Sequence, residues 1–392
     1  MLSSSSEIRP LTLAAFDAMQ KGDAQRAREL FDSIVASGRA DASILLGLAF
    51  ACRQLGDKAS AIAAIDKVLA LDQTNLQALI LKGDHLLEAG DNRAAVAFYA
   101  SAIRRVSPRD KLPPAFQNDL RRAQQACETY AKQYEAHLRT ELAARGFDEH
   151  STGRFAQSLD LMTGKKRIYY QQPQHYYFPE LPQIQFYERA MFPWLDTVEA
   201  ATEDIRAELL GVLQQPNAFT PYVESHQNRP NIDATGTIDN PDWSAFFLWK
   251  NGEIVPENAA RCPRTLEALK DVPFCRIAGR SPSILFSLLR PGAKIPPHTG
   301  MINTRLICHL PLIVPGQCRF RVGNDTRDWV EGKAWLFDDT IEHEAWNGSD
   351  KLRVVLIFDV WRPELTEEER RLVAAMIEAV DAFGGPRQQW QA

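Results

Sequence analysis

Over residues 8–109 apolar and polar positions alternate with helical period, and the whole pattern recurs every 34 residues. Gly-Asp pairs mark the recurrence at Gly22-Asp23, Gly56-Asp57 and Gly90-Asp91. Each Gly is followed at fixed distances by a small residue (Ala27, Ala61, Ala95), an apolar one (Phe31, Ile65, Tyr99) and another (Ile34, Val68, Ala102). Upstream, Ala15, Ala49 and Gly83 occupy the place where two helices must approach closely. Small side chains let the paired helices touch, and the Gly supplies the tight turn between them. The pattern predicts three helix–turn–helix units that bury their apolar faces by stacking. A helix over Pro114–Arg145 is expected to cap the stack.

The period changes further on. The apolar residues Leu195, Val198, Ile205, Leu209 and Leu210 predict a helix over Trp194–Gln214, and Asn217–Pro241 reads as a polar loop. Trp243–Trp249 reads as a strand closed by Asn251-Gly252, and Pro263–Leu269 as a short helix. From Ser283 short strands with turns take over: Ser283–Leu289, Arg305–Val314, Cys318–Val322, Thr326–Val330, Lys333–Asp338 and Leu352–Trp361. Such spacing indicates an antiparallel sandwich or jelly roll. Period two places Arg305, Ile307 and His309 on one face of their strand, and Arg353, Val355, Ile357 and Asp359 on one face of theirs. Thr366 and Glu369 form a capping box that opens a last helix. That helix runs to about Phe383, before Gly384-Gly385-Pro386, with Leu372, Val373, Met376, Ile377 and Val380 expected to pack on the barrel.

Composition narrows the class. The chain has 392 residues, room for two or three domains, with the apolar and charged content of a folded soluble protein. A net charge of −5 argues against a nucleic-acid footprint, which needs clustered positive charge. The N-terminus lacks the pattern of a secretory signal, and no membrane span is expected. Six scattered cysteines without CxxC pairs fit reduced thiols and a cytoplasmic setting.

Candidate chemistry lies between His298 and Trp361. His343 follows His298 by 45 residues and Arg353 follows 10 later. Two imidazoles can hold a ferrous ion, although Gly300 stands where most iron sites of this kind place an acidic third ligand. Taken singly, His298 reads as a surface residue of a Pro-Pro-His-Thr-Gly turn and His343 as a satisfied core histidine. Arg353, amid Val354–Ile357, needs an anion, which either a protein carboxylate or a ligand supplies. Asp338 and Asp339 are expected to shape a turn or bond an imidazole's far side rather than ligate metal. His150, His175 and His226 lack partner spacing and are not expected to be ligands.

The 34-residue register is that of the tetratricopeptide repeat. Residues 298–366 resemble the aspartyl/asparaginyl β-hydroxylase family of Fe(II)/2-oxoglutarate dioxygenases. The likeness rests on His298-Thr299-Gly300, on Arg305-x-x-x-His309-Leu310, on Phe337-Asp338-Asp339-x-x-x-His343-Glu344-x-Trp346, and on Asp359-Val360-Trp361-x-Pro363-Glu364-Leu365-Thr366. It extends more weakly back to Leu181-Pro182. The resemblance implies a multidomain α + β chain: a tetratricopeptide solenoid over 8–145 and a double-stranded β-helix, or jelly roll, over 146–392. It implies iron held by His298 and His343 with no acidic third ligand, in keeping with Gly300. For 2-oxoglutarate it implies contacts from Ser287, His309 and Arg353. The animal hydroxylases have an Arg where this chain has Ile307, and Arg305 on the same face is the candidate to stand in. The implied reaction couples decarboxylation of 2-oxoglutarate by O2 to hydroxylation of Asp or Asn side chains in a protein or peptide, with the repeats recruiting it. Hydroxylation of a lipid or small molecule, and a barrel that serves only as an interaction module, are the alternatives. The repeats could equally be a spacer or a dimerisation element.

Overall fold

A computed structural model describes residues 5–107, 111–148, 153–225 and 236–383. His150, His226 and the Gly384-Gly385-Pro386 stop lie outside the described residues. The chain divides into two compact units, residues 1–165 and 166–392.

The first unit is helical: α1 (Ser5–Gln20), α2 (Ala24–Ala36), α3 (Ala42–Gln54), α4 (Lys58–Leu71), α5 (Leu76–Glu88), α6 (Asn92–Ile103), α7 (Pro114–Ala143) and α8 (Gly153–Met162). The repeat residues do what their spacing requires. Gly22, Gly56 and Gly90 adopt φ of +77°, +76° and +84°. Asp23, Asp57 and Asp91 then cap α2, α4 and α6 by accepting the backbone N–H three residues on, each at 3.0 Å. Ala27, Ala61 and Ala95 are buried, as are Phe31, Ile65 and Tyr99 beside them. The capping role of α7 holds for its N-terminal half, where Leu120 and Ala123 pack on Ala95, Tyr99 and Ala102. Sequence pattern leaves α8 with the domain that follows, whereas contacts place it in the helical unit. Arg139 of α7 donates to Asp160 of α8 at 3.0 Å, and Phe147 meets Phe155 edge-on at 5.3 Å.

In the second unit the helix expected over Trp194–Gln214 is broken at Ala201 into α9 (Leu195–Ala200) and α10 (Thr202–Leu213). There follow β1 (Thr220–Pro221), β2 (Trp243–Lys250), β3 (Glu253–Ile254), α11 (Pro256–Ala259) and α12 (Pro263–Ala268). Then come β4 (Ile284–Leu289), β5 (Lys294–His298), β6 (Arg305–Ile313), β7 (Cys318–Val322), β8 (Asp325–Asp328), β9 (Trp335–Phe337), β10 (His343–Asn347), β11 (Arg353–Trp361) and α13 (Glu367–Ala382). Asn251 and Gly252 join β2 to β3, both with positive φ as a two-residue hairpin turn requires.

Among the described residues the strands form two antiparallel sheets. One runs β1-β2-β4-β11-β6-β9 with β3 beside β2, and the other β5-β10-β7-β8. The larger sheet buries Phe286, Leu310, Leu356 and Phe358 under α9, α10 and α12. Its other face meets the smaller sheet, with Leu289, Val355 and Phe337 packed against Ile295, Phe320 and Ala345. The expected alternation on β6 and β11 is therefore observed: Leu306, Cys308 and Leu310 face the helices, and Ile307 and His309 face the space between the sheets.

Two expectations change. The strands β5 and β10 had no place in the sequence pattern. The stripe on α13 also divides: Val373 and Ile377 are buried, but Leu372, Met376 and Val380 are largely exposed. The helix lies along the unit by one narrow edge, against Cys275, Ile277, Met301 and Ile302. Its capping box forms as expected.

Candidate functional site

The two sheets enclose a pocket at whose wall the separate motifs converge. His298, His309, His343, Ser287, Arg305 and Arg353 all line it. Hydrogen bonding sets the positions. β5 and β10 are antiparallel neighbours with His298 directly opposite His343, and the ring centroids are 4.1 Å apart. Each ring is fixed the same way, through Nδ1 to the carbonyl two residues earlier: Pro296 at 2.8 Å and Ile341 at 3.0 Å. A carbonyl can only accept, so Nδ1 carries the proton and Nε2 keeps its lone pair. Burial lowers the pKa of both histidines, and His298 lowers that of His343 further. Two neutral imidazoles with free Nε2 lone pairs are the form that binds a divalent metal. Among the described residues no group of three His, Cys, Asp or Glu is placed to hold an ion.

At one end of the pocket stands Arg353, 1% exposed. Its Nε and Nη1 have no hydrogen-bond partner among the described residues, and its guanidinium carbon lies 5.5 Å from the Trp329 ring centre. Burial pushes its pKa down to about 10. Of the two readings open in the sequence, a protein carboxylate is not found for it among the described residues. Near it, His309 packs between Trp329 and Phe337 with an unpartnered Nδ1; burial, then Arg353, keeps it neutral. Ser287 is buried, and its Oγ accepts the Trp243 indole N–H at 3.3 Å. A buried arginine with open N–H groups, a neutral imidazole and a hydroxyl are groups that could hold a small carboxylate.

The other end is already charged and paired. Arg305 lies 3.3 Å from Asp339 Oδ2 and 3.4 Å from Asp359 Oδ2. Burial opposes its charge, but the two carboxylates outweigh this and its pKa rises. Asp359 also accepts the Ser283 N–H at 2.7 Å and the Ser281 hydroxyl. Burial raises Asp339 to about 7 in spite of Arg305, with Asp338 and Asp359 adding to the rise. Its carboxyl occupies the space a side chain at Gly300 would need, so Gly300 is where a second segment closes over the first. Asp338 behaves as the sequence suggests: its carboxylate accepts from the Thr340 N–H and hydroxyl, from Gln171, and from the buried Arg362. His175 lies outside the pocket lining.

Asp339, expected at a turn or behind an imidazole, lines the pocket, as do Asp359 and Trp243, for which no role is expected from the sequence. For Asp359 the signal was present, since period two puts it on the face of Arg353. Trp243 stacks on Tyr222 at 4.4 Å and tilts toward His298 at 6.0 Å, a wall that no local pattern could reveal.

The candidate site is thus a pocket between two antiparallel sheets, with paired imidazoles on one and an arginine whose Nε and Nη1 lack partners among the described residues on the other. Residues 199–363 match the family model described as aspartyl/asparaginyl beta-hydroxylase, and residues 18–84 match that of the tetratricopeptide repeat. The chain thus carries one stretch similar to the tetratricopeptide repeat and another similar to the aspartyl/asparaginyl β-hydroxylase family. It is similar to the aspartyl/asparaginyl beta-hydroxylase of Mus musculus, 42% identical over 140 residues, covering 34% of this chain and 18% of that protein. It is also similar to the ornithine lipid ester-linked acyl 2-hydroxylase of Rhizobium tropici, 37% identical over 180 residues, covering 45% and 60%. The chain therefore spans less than two thirds of these relatives. Among solved structures, the Yersinia enterocolitica translocator chaperone SycD aligns at 20% identity over 34% of this chain and 88% of that one, with a TM-score of 0.30.

Proposed function

We propose that the chain is an Fe(II)- and 2-oxoglutarate-dependent hydroxylase acting on Asp or Asn side chains of a protein or peptide. The observation that carries this reading is Arg353, a buried guanidinium whose open N–H groups face the pocket that holds the His298/His343 pair. The facing sheets favour a jelly-roll description of the domain. His298 and His343 would hold iron through Nε2. Arg353 would grip the distal carboxylate of 2-oxoglutarate, with Ser287 and His309 beside it. When bound, iron and 2-oxoglutarate supply the oxidation: O2 gives one oxygen atom to succinate and one to a substrate C–H bond, with release of CO2. The protein orients the reactants and excludes water. Burial keeps both histidines unprotonated, and the backbone carbonyls of Pro296 and Ile341 hold their rings in the ligating tautomer.

Arg305, expected from its face of β6 to contact the co-substrate, is tied to Asp339 and Asp359 and is better read as part of the substrate end. Tetratricopeptide repeats serve protein interaction, and here they would recruit the substrate or a partner. A second reading is favoured by Ile307, which with Ile357 and Leu285 gives the pocket an apolar wall: hydroxylation beside the carbonyl of a lipid acyl chain, as the name of the Rhizobium tropici relative states for that protein. Succinate release from 2-oxoglutarate, with and without Fe(II), separates an enzyme from a scaffold. A +16 Da shift on peptide rather than lipid fractions separates the two substrates. No Fe(II)-dependent succinate release under either condition would overturn the proposal.

A further inference from the structure

The two histidine-bearing strands hold their residues unequally. β5 is an edge strand, bonded on one side to β10. Pro296 and Pro297 stand just before His298, and neither has an N–H to give the ladder. The register of β5 on β10 also shifts between His343 and Ala345. β10, by contrast, pairs with β7 at five successive positions, from His343 to Asn347. The ladder therefore fixes the backbone at His343 better than at His298. The missing restraint comes from residues 171–178, which cross both the segment after His298 and the segment before His343. On the first, the Gln174 N–H donates to the Gly300 carbonyl at 3.0 Å and its Nε2 to the Thr299 carbonyl at 2.6 Å. The His175 N–H donates to the Met301 carbonyl at 2.9 Å, and the Phe178 N–H to Asn303 Oδ1 at 2.7 Å. On the second, the Gln172 N–H donates to the Thr340 carbonyl at 2.7 Å. The buried Gln171 side chain joins the two segments: Nε2 donates to Asp338 Oδ2 at 2.7 Å, and Oε1 accepts from Asn303 Nδ2 at 2.9 Å. Arg362 links the same two residues through Nη1, to the Asn303 carbonyl at 3.2 Å and to Asp338 at 2.9 Å.

We infer that residues 171–178 are a positioning strap for the histidine pair, with Gln171 at its centre: they hold His298 at the distance from His343 at which both imidazoles serve one ion. The inference rests on the hydroxylase reading above and deepens it. A site with two protein ligands has no third side chain to correct a misplaced one, so the spacing of the two must be built in. The strap lies ahead of residues 199–363, the stretch that matches the hydroxylase family. Gln171, Gln172 and Gln174 stand outside the pocket lining, so they act only through the segments they hold.

The test reads Co(II) binding by visible absorption on the full chain, without 2-oxoglutarate or oxygen. Gln171→Met keeps the length of the side chain and removes its hydrogen bonds. It should weaken Co(II) binding by about 10–100-fold, as loss of an outer partner of a ligand does, and alter the absorption bands. Gln174→Ala, at an exposed position that folding tolerates, should weaken it by about three-fold or more, the worth of one such bond. Thr265→Val is the control. It removes a buried hydroxyl on α12 that donates to Glu208 at 2.6 Å, and should lower the melting temperature while leaving Co(II) binding unchanged. Hydrogen exchange on the metal-free proteins is the second arm: Gln171→Met should speed exchange over 299–303 and 338–343 more than elsewhere in the unit. If Gln171→Met does not fold, Gln174→Ala decides both arms. A parent that binds Co(II), with strap variants that bind it equally well and with the same bands, overturns the inference and leaves the metal reading standing. Unchanged exchange over the two segments also overturns it, as does an equal loss of binding in Thr265→Val, which would trace the effect to general destabilisation. A parent that binds no Co(II) overturns the metal reading itself, and the strap's role with it.

Discussion

His298 and His343 are direct cross-strand partners, and each donates its Nδ1 proton to the carbonyl two residues before it. The same local device on two different strands turns both Nε2 lone pairs the same way chemically. A satisfied core histidine would need no such matched pair. His343→Ala should therefore abolish Fe(II)-dependent succinate release. It should also weaken metal binding, read independently by Co(II) titration and visible absorption, by more than about 100-fold, beyond what loss of an outer partner of a ligand costs. Retained turnover and an unchanged Co(II) spectrum would show that the pair does not hold the metal.

Arg353 is the reverse of a surface cation: enclosed, held below its ordinary pKa, and short of acceptors. On the proposed assignment its missing partner is the distal carboxylate of 2-oxoglutarate. Arg353→Ala should then weaken co-substrate binding by about 2 kcal/mol or more, roughly 30-fold, as expected on losing a desolvated charge-assisted pair. Arg353→Lys should recover little of it, because an ammonium cannot reproduce the planar fork. Isothermal titration with 2-oxoglutarate checks both, and wild-type affinity in the alanine variant would remove Arg353 from the contact.

The residues whose chemistry was legible in the sequence are those carried by long alternating strands. Arg305–Val314 and Leu352–Trp361 were read to within a residue of β6 and β11, so the facing of His309, Arg353 and Asp359 followed. The strands that hold the histidines were not legible. Pro296 and Pro297 interrupt β5, and β10 alternates only between His343, Ala345 and Asn347 on its buried side, with no bulky aliphatic residue to signal it. Both are strands because partners pair with them, which local sequence cannot report. The cluster of Arg305 with Asp339 and Asp359 is likewise a product of register and of a loop closing over Gly300.

Asp339 makes a pH signature. Its carboxyl has a pKa of about 7 in the folded chain against an unfolded value near 3.8, mainly through burial. Between those values the folded state binds more protons than the unfolded one, so stability falls as pH rises from about 4 to 7. Asp339→Asn removes this dependence. In metal-free protein the melting temperature of the variant minus that of the parent should be larger at pH 8 than at pH 5, by about 3 °C or more. Equal differences at the two values would mean that Arg305 holds Asp339 ionised throughout.

In the helical unit Gly83 and Tyr99 are mutually dependent. A Cβ on Gly83 would lie 2.5 Å from a Tyr99 ring carbon. The ring cannot swing aside, because it is fully buried and its hydroxyl donates to Asp84 at 2.7 Å. Replacing a helical Gly by Ala ordinarily stabilises by about 1 kcal/mol. Gly211, on α10 with open space around it, is expected to show that gain. At Gly83 the sign should reverse: the helices must part to admit the methyl, at a net cost of about 1–3 kcal/mol from overpacking. Denaturant unfolding followed by far-UV circular dichroism distinguishes the two variants. Stabilisation by Gly83→Ala would show that α5 and α6 can separate freely, and that the small residue at this point of the repeat is not what sets their spacing.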